Sequence, residues 1–382
     1  MAAATGLVQP KAVVLAAMAV AAASALAHTA GWRQGALLVV ALLLGFTLYQ
    51  SGFGFSGSYR ALLTRARVDG VRAQALMVGI ATPMFASMFW AGEALGSDVR
   101  GAVAPVGLPV LIGAFVFGIG MQLGGGCGSG TLFTLGGGNL RMGITLVAFC
   151  LGGFWATLHW PFWTKLPSTG PIVLGERFGW AVAAAAQTTV LVLIWRGLGR
   201  WDRGPERTAE PSRGWLSFPW TPTTGAILLA LLNLATLALS GGPWSITWGF
   251  TLIAAKVAQL AGWDPTDDVF WQADFQSSAL AAPLVNDIVV VMDVGIVLGA
   301  TIAAVAAGRL KAPARIPRGA VAASVVGGLM LGYGARISFG CNIGAFFSGA
   351  ASTSLHGWIW LAAALAGNWI GIRLRPRFGL GD

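Results

Sequence analysis

Polar and apolar residues do not alternate along this chain but separate into long apolar runs and short polar breaks. Residues 294–307, for example, would be apolar on every face of a helix, with Thr301 as their sole polar side chain. Runs of about 20 residues are long enough to cross a bilayer as helices, whereas membrane β-strands would alternate. The pattern therefore predicts an all-α polytopic membrane protein with about 9–11 transmembrane helices.

The apolar runs also locate the expected spans. The candidates are 12–30, 35–56, 73–95, 104–123, 143–163, 179–196, 223–241, 246–262, 287–308, 319–336 and 356–374. Two short re-entrant helices are expected near 129–137 and 343–352, whereas residues 270–285 are too polar and too short for an ordinary span. Residues 12–27 imitate a secretory signal peptide, but another apolar run follows closely, so we interpret them as a first span.

Composition and charge indicate the same class. Hydrophobic residues make up 56 % of the chain and charged residues 10 %, whereas a soluble domain carries about 25 % charged residues. Arginine and lysine gather at 60–72, 196–213, 309–318 and 373–377, and these clusters supply most of the formal net charge of +10. Such clusters mark cytoplasmic loops. We interpret them as membrane-flanking charge, with no role in binding nucleic acid.

The two halves of the chain resemble each other. Shifted by 214 positions, seven glycines of the first half fall on glycines of the second without a gap, and Phe133 falls on Phe347. The glycine pairs are Gly113 and Gly327, Gly118 and Gly332, Gly120 and Gly334, Gly126 and Gly340, Gly130 and Gly344, Gly143 and Gly357, and Gly153 and Gly367. We therefore predict a first transmembrane repeat at 1–195, a cytoplasmic basic linker at 196–214 and a second repeat at 215–382.

The charge clusters predict how the repeats are oriented. The span before Cys127 would run towards the cytoplasm, and the span before Cys341 would run away from it, which is an inverted-topology repeat. Counting simple spans from residue 215 onward gives the wrong parity unless residues 270–285 also cross, as a broken helix. The repeats are expected to meet in an hourglass, with short helices at a central constriction.

A cysteine stands in the same glycine-rich frame of each repeat. The frames are Gly126-Cys127-Gly128-Ser129-Gly130 and Gly340-Cys341-Asn342-Ile343-Gly344. Glycine permits tight turns, and irregular backbone inside a membrane is tolerated where it lines a cavity or is buried in protein. A short helix after each frame would direct free N–H groups towards the turn and attract an anion. A polarizable thiol beside such a turn suits an anion that carries sulfur, and Ser129 and Asn342 can donate hydrogen bonds to its oxygens.

Alternatives remain for several residues. Cys127 and Cys341 could instead form a disulfide or simply pack, and Cys150 is expected to be a small buried residue. Arg336 is expected either to draw an anion into an outer vestibule or to extend to the membrane interface. Glu93, Asp287 and Asp293 are expected to pair with arginine or to cap helices, although a proton relay stays open. No CxxC motif occurs, so neither a catalytic dithiol nor a metal cluster is expected, and no cofactor is implied.

The two frames resemble the signature cysteine motifs of the YeeE/YedE membrane family, and the resemblance extends from about residue 36 to residue 375. It implies a non-enzymatic importer of thiosulfate, or of a related sulfur or selenium species, in the bacterial cytoplasmic (inner) membrane. Cys127 and Cys341 match the family's pore cysteines, which are thought to bind the sulfur of the ion by transient hydrogen bonds. Members typically carry a further cysteine where this chain has Gly54, so a three-thiol relay is not implied.

The resemblance also implies a small TusA-like sulfur carrier as a cytoplasmic partner. Two other functions remain open at this point. One is a membrane thiol enzyme that relays sulfane sulfur covalently, and the other is a structural subunit without a pore.

Overall fold

The computed structural model describes residues 10–202, 219–310 and 315–381, and the chain there is almost entirely helical. The first part contains ten α-helices: α1 Pro10–Thr29, α2 Trp32–Ser51, α3 Phe55–Arg65, α4 Asp69–Ala91, α5 Leu108–Gly124, α6 Gly128–Gly136, α7 Leu140–Leu158, α8 Trp160–Thr164, α9 Leu174–Phe178 and α10 Trp180–Trp201. Two antiparallel pairs of short strands join some of them: β1 Glu93–Ala94 with β2 Ser97–Asp98, and β3 Pro105–Gly107 with β4 Ser168–Pro171.

The second part continues with eight α-helices and several tighter or wider turns. The α-helices are α11 Pro222–Ser240, α12 Thr247–Leu260, α13 Val269–Gln272, α14 Asp274–Ala281, α15 Ile288–Ala306, α16 Arg318–Ile337, α17 Ser348–Ala351 and α18 Leu355–Leu374. A π-helix, Asn342–Phe347, precedes α17 directly, and 3₁₀ turns occur at Pro265–Asp267, Leu284–Asn286 and Arg375–Phe378.

Nine helical segments of the described chain are long and apolar enough to cross a membrane, which confirms the predicted helical membrane class. They are Pro10–Thr29, Trp32–Arg65, Asp69–Ala91, Leu108–Gly136, Leu140–Leu158, Trp180–Trp201, Pro222–Ser240, Ile288–Ala306 and Arg318–Ala351. Helices suit this environment because every interior backbone N–H and C=O finds its partner within the segment.

Local sequence sets several helix boundaries. Asn139 caps α7 by accepting a hydrogen bond from the Arg141 N–H, and Thr221 caps α11 through the Thr224 N–H. Proline stands within the first two residues of α5 and α11, where its missing N–H removes no helical hydrogen bond. Each of these helices therefore begins at a residue that satisfies or tolerates the free N–H groups of a first turn.

Contacts between loops define two opposite ends of the helical bundle. At one end, the Tyr49 hydroxyl donates to the Arg309 carbonyl, and the Trp220 N–H donates to the Gln50 carbonyl. At the other end, Arg33 donates to the Ser97 hydroxyl, and the Arg100 N–H donates to the Gly241 carbonyl. The first end carries residues flanking the basic clusters, so we call it the basic end, and we call the other the far end.

Four long helices meet through glycines at the centre of the bundle. A methyl group added at Gly118 would lie 2.2 Å from the Ala364 carbonyl oxygen on α18, and one at Gly332 would lie 2.1 Å from the Phe149 oxygen on α7. The α5 and α16 backbones are equally close, because Gly120 faces the Gly327 carbonyl and Gly334 faces the Gly113 carbonyl. Small residues of this kind let membrane helices pack backbone against backbone.

One expectation about the second half needs correction, and the correction also removes the parity difficulty. The predicted span 246–262 is wrong, because α12 has 14 residues and would extend only about 21 Å, less than the ~30 Å hydrocarbon core. Residues 270–285 form short broken helices at the far end, where Gln34 donates to the Val285 and Asn286 carbonyls. The parity difficulty therefore disappears without a crossing there, since α12 does not cross either.

The predicted linker 196–214 is only partly described. Its first residues continue α10 to Trp201 as helix, and residues 203–214 lie outside the described ranges. Short helices are present at the two predicted positions, as α6 and as the π-helix followed by α17, each within about a residue of its predicted bounds.

Candidate functional site

The first cysteine frame forms a tight turn between α5 and α6. Cys127 caps α6 in an extended conformation, and its sulfur accepts a hydrogen bond from the Gly130 N–H at 3.5 Å. The Ser129 hydroxyl lies 3.4 Å from the same sulfur. Gly126 gives room for the turn, because a methyl group there would lie 3.0 Å from the Thr131 nitrogen. The thiol is fully buried.

The second frame repeats this geometry with one difference. Cys341 has nearly the same backbone angles as Cys127 (φ −107°, ψ −166° against φ −89°, ψ −165°), and its sulfur accepts from the Ile343 N–H at 3.4 Å. Gly340 has φ +147°, which favours glycine, and a methyl group there would lie 2.7 Å from the Ala345 nitrogen. The helix that follows is a wide π-helix, a rare form that occurs frequently at functional sites.

The two frames lie against each other. A methyl group added at Gly128 would be 3.2 Å from the Cys341 sulfur and 3.2 Å from Cγ2 of Ile246, in the loop before α12. A methyl group at Gly344 would lie 3.5 Å from the hydroxyl of Ser245 in that loop. The Cys341 thiol therefore packs on the residue that follows Cys127, with the α11–α12 loop on a further side.

The short helices diverge from this meeting point. The last residue of α6, Gly136, accepts a hydrogen bond from Thr301 near the basic end of α15. On the other side, Ser352 just after α17 accepts from the Ala102 N–H, beside the loop that forms the far end. Both helices therefore begin at a cysteine and run towards opposite ends of the bundle.

Polar side chains surround the thiols without filling all of their hydrogen-bonding capacity. Asn342 is fully buried, and its amide donates to the Tyr59 hydroxyl at 3.1 Å. Its carbonyl oxygen has no hydrogen-bond partner among the described residues. Tyr59 and Phe55, both on α3, are buried beside the second frame, where Phe55 meets Phe346 edge-on at 6.4 Å.

Arg336 lies towards the far end of α16. Its guanidinium is 5.2 Å from the ring centre of Phe270 and 5.9 Å from that of Trp160, within the range of cation–π attraction. Trp160 also lines a cavity of about 130 Å³ together with Ile337 and Phe339, which follow Arg336 closely in the chain. The Arg336 Nε is buried and lacks a hydrogen-bond partner in the described part of the chain.

Cys150 and Gly54, the glycine at the position of the family's third cysteine, lie outside the two cysteine frames. All three cysteines are free thiols, so the disulfide alternative for Cys127 and Cys341 is absent from this structure. Cys150 is partly buried in α7. Gly54 precedes α3 with φ −126° and ψ 131°, and a methyl group there would find only the Gly52 oxygen, at 3.9 Å.

Comparison with known proteins supplies the family. The profile of the family described as Sulphur transport matches residues 50–370. The chain belongs to the sulphur transport family. This confirms the resemblance that the cysteine frames suggested. Curated relatives are named as transporters, and the nine apolar helical segments of the described chain are those of a multi-pass membrane protein.

Three members of the sulphur transport family give the degree of similarity. The probable transporter YedE of Escherichia coli (strain K12) is 31 % identical over 42 % of this chain, and the match spans only 39 % of YedE itself. The thiosulfate transporter TsuA of Spirochaeta thermophila is 30 % identical over 68 % of this chain and 75 % of its own length. TsuA of E. coli (strain K12) is 24 % identical over 87 % of this chain and 92 % of its own length.

Several neighbours of the thiols escaped sequence reasoning. Tyr59, Ser245 and Ile246 contact the frames from distant parts of the chain, and nothing in the spacing of the cysteine motifs indicates them. The apolar run 246–262 gave only a weak signal, because its 17 residues are the lower limit of length for a span.

Proposed function

We propose that this protein imports a sulfur-containing anion across the bacterial cytoplasmic membrane, with thiosulfate as the first candidate. The observation that carries the proposal is the meeting of two buried thiols, Cys127 and Cys341, at the starts of two oppositely directed short helices. Membership of the sulphur transport family, with relatives named as thiosulfate transporters, supports the substrate class.

The proposed path runs through a constriction between two inverted repeats. The helix contacts support this arrangement, because they are reciprocal between the halves. Gly120 faces Gly327, and their equivalents under the 214-residue shift, Gly334 and Gly113, also face each other. The opposite directions of the two short helices agree with it. In this hourglass, one repeat opens towards each side of the membrane and the thiols stand between them.

Each thiol has a defined role in the proposal. The S–H groups of Cys127 and Cys341 donate in turn to the terminal sulfur of the ion, and Ser129 and Asn342 offer hydrogen bonds to its oxygens. Gly126, Gly128, Gly130, Gly340 and Gly344 keep the backbone close to the path. Weak S–H contacts permit the ion to leave, whereas a covalent persulfide would require a reductant for release.

Arg336 is proposed to attract the anion from the far end. Its charge is stacked on Phe270 and Trp160 and its Nε is unused by the described residues, so the group can turn part of its hydrogen-bonding capacity towards an ion. A TusA-like sulfur carrier is the proposed recipient at the basic end. Failure of purified carrier and transporter to associate would count against that partner.

The test is uptake of radiolabelled thiosulfate in a bacterium that lacks its own thiosulfate and sulfate importers. Cys127→Ala and Cys341→Ala are expected to abolish uptake, and Cys150→Ala serves as the matched control because that thiol lies outside both frames. Normal uptake by both frame variants, at equal membrane levels, would refute the thiol path. A persulfide trapped on either cysteine during turnover would instead favour the sulfur-relay enzyme.

A further inference from the structure

One buried carboxyl group has no hydrogen-bond partner within the described residues. Asp293 lies on α15, about 8 Å along the helix from its first residue, and its side chain is 4 % exposed. Both carboxyl oxygens are buried and accept no hydrogen bond from the described residues. Asp287, six residues earlier, differs completely, because it accepts from the Val289 and Val290 N–H groups and from the Trp248 indole.

The Asp293 carboxyl lies between α15 and the start of α12. One of its oxygens would be 2.6 Å from a methyl group added at Gly249, so it packs directly on the α12 backbone. Gly249 is three residues after Ile246, which contacts the first cysteine frame. The carboxyl is within electrostatic range of the Cys341 and Cys150 thiols.

No cation compensates this carboxyl within the described residues. The titratable groups within electrostatic range of the Asp293 carboxyl are Asp287, Cys150 and Cys341. The other charged or titratable residues on the helices that pack against α15 lie near helix ends or bond elsewhere: Lys11, His28, Arg33, Tyr49 and Lys256, whose ammonium donates to the Leu280 and Ala282 carbonyls at the end of α14. An ionised, unpaired carboxylate is strongly disfavoured in such surroundings, so the neutral acid is the stable form.

Thiosulfate is a dianion, so its import opposes a membrane potential that is negative inside. Each negative charge adds to the opposing electrical energy, so a dianion is opposed twice as strongly as a monoanion. A proton that travels with the ion removes one of these charges. We propose, as an inference that rests on the proposed function, that Asp293 is the proton-binding residue of a proton-coupled anion importer. It binds a proton from the outer medium, remains neutral while the anion occupies the nearby thiols, and releases the proton to the cytoplasm with the anion.

The test uses purified full-length protein in liposomes, with Asp293→Asn as the variant and Asp287→Asn as the matched control. Asparagine keeps the size of the side chain, and at position 287 it still caps the helix. Infrared difference spectra between wild type and Asp293→Asn, recorded without substrate, are expected to contain the carbonyl stretch of a protonated carboxylic acid. Its absence near neutral pH would overturn the proposal without reference to any transported ion.

Transport supplies the second readout. An inward proton gradient is expected to raise thiosulfate accumulation by wild type and Asp287→Asn at least fivefold, with acidification of the lumen. Asp293→Asn is expected to keep downhill flux and to lose the response to the gradient. If wild type shows downhill flux but no response to the proton gradient, or if Asp293→Asn responds normally to it, the proton coupling is overturned and the proposed function is not. Absence of downhill thiosulfate flux in wild type would refute the proposed function, and the thiosulfate coupling with it.

Discussion

Gly128 is the position where the smallest change should obstruct the proposed path. A methyl group at this residue would lie 3.2 Å from both the Cys341 sulfur and Ile246 Cγ2, whereas unstrained carbon contacts are about 3.5–4.0 Å. Gly128 has no positive φ, and it begins α6, so alanine suits the backbone and the helix. The Gly128→Ala change therefore tests the space between the two frames and not the local conformation.

The size of the effect follows from the overlap of a few tenths of an ångström at two contacts. Overpacking of this kind costs about 1–3 kcal/mol. If the cost appears when the ion passes between the frames, uptake slows by about 5- to 150-fold. Gly143→Ala on α7 is the matched control, because Gly143 lies outside both frames and its methyl group would lie 3.7 Å from Cδ1 of Leu135, an ordinary contact distance. That variant should stay within about twofold of wild type, a change of ~0.4 kcal/mol.

Initial rates of radiolabelled thiosulfate uptake into liposomes provide the assay, with the thermal unfolding midpoint of each variant measured in the same detergent. Equal rates for Gly128→Ala and wild type would refute the inference that the frames form the narrowest part of the path. Equal losses in the Gly128→Ala and Gly143→Ala proteins would refute the argument from contact distances.

Two further substitutions test other parts of the proposal. Gly54→Cys should fold normally, because open space surrounds the added side chain. It should raise thiosulfate uptake about two- to tenfold over Gly54→Ser, which is equivalent to ~0.4–1.4 kcal/mol. Equal uptake by the two variants would argue that a third thiol does not limit transport. Arg336→Gln should raise the KM for uptake about tenfold, equivalent to ~1.4 kcal/mol, whereas Arg336→Lys keeps the charge and should raise it less. Unchanged KM in Arg336→Gln would remove the residue from the anion path.

The sequence predicted what depends on composition and repetition, and missed what depends on contacts between distant segments. The glycine frames predicted the short helices at α6 and after Cys341 because the turn and the helix start lie within a few adjacent residues. The span 246–262 failed because α12 has the apolar composition of a crossing helix but, at 14 residues, only about 21 Å of the ~30 Å required. The sequence could not indicate Tyr59, because this residue lies 283 positions away in the chain from Asn342, which it contacts.

The glycine contacts among α5, α7, α16 and α18 limit how this molecule can move. Gly118 and Gly332 bring helix backbones together so closely that no side chain lies between them on which the helices could slide. Rocking the half that contains α5 against the half that contains α16 would separate these backbones simultaneously, and close-packed interiors resist such continuous deformation. Turnover is then left to side-chain rotation and to the two cysteine turns, so cross-linking α5 to α16 should leave the rate of uptake almost unchanged.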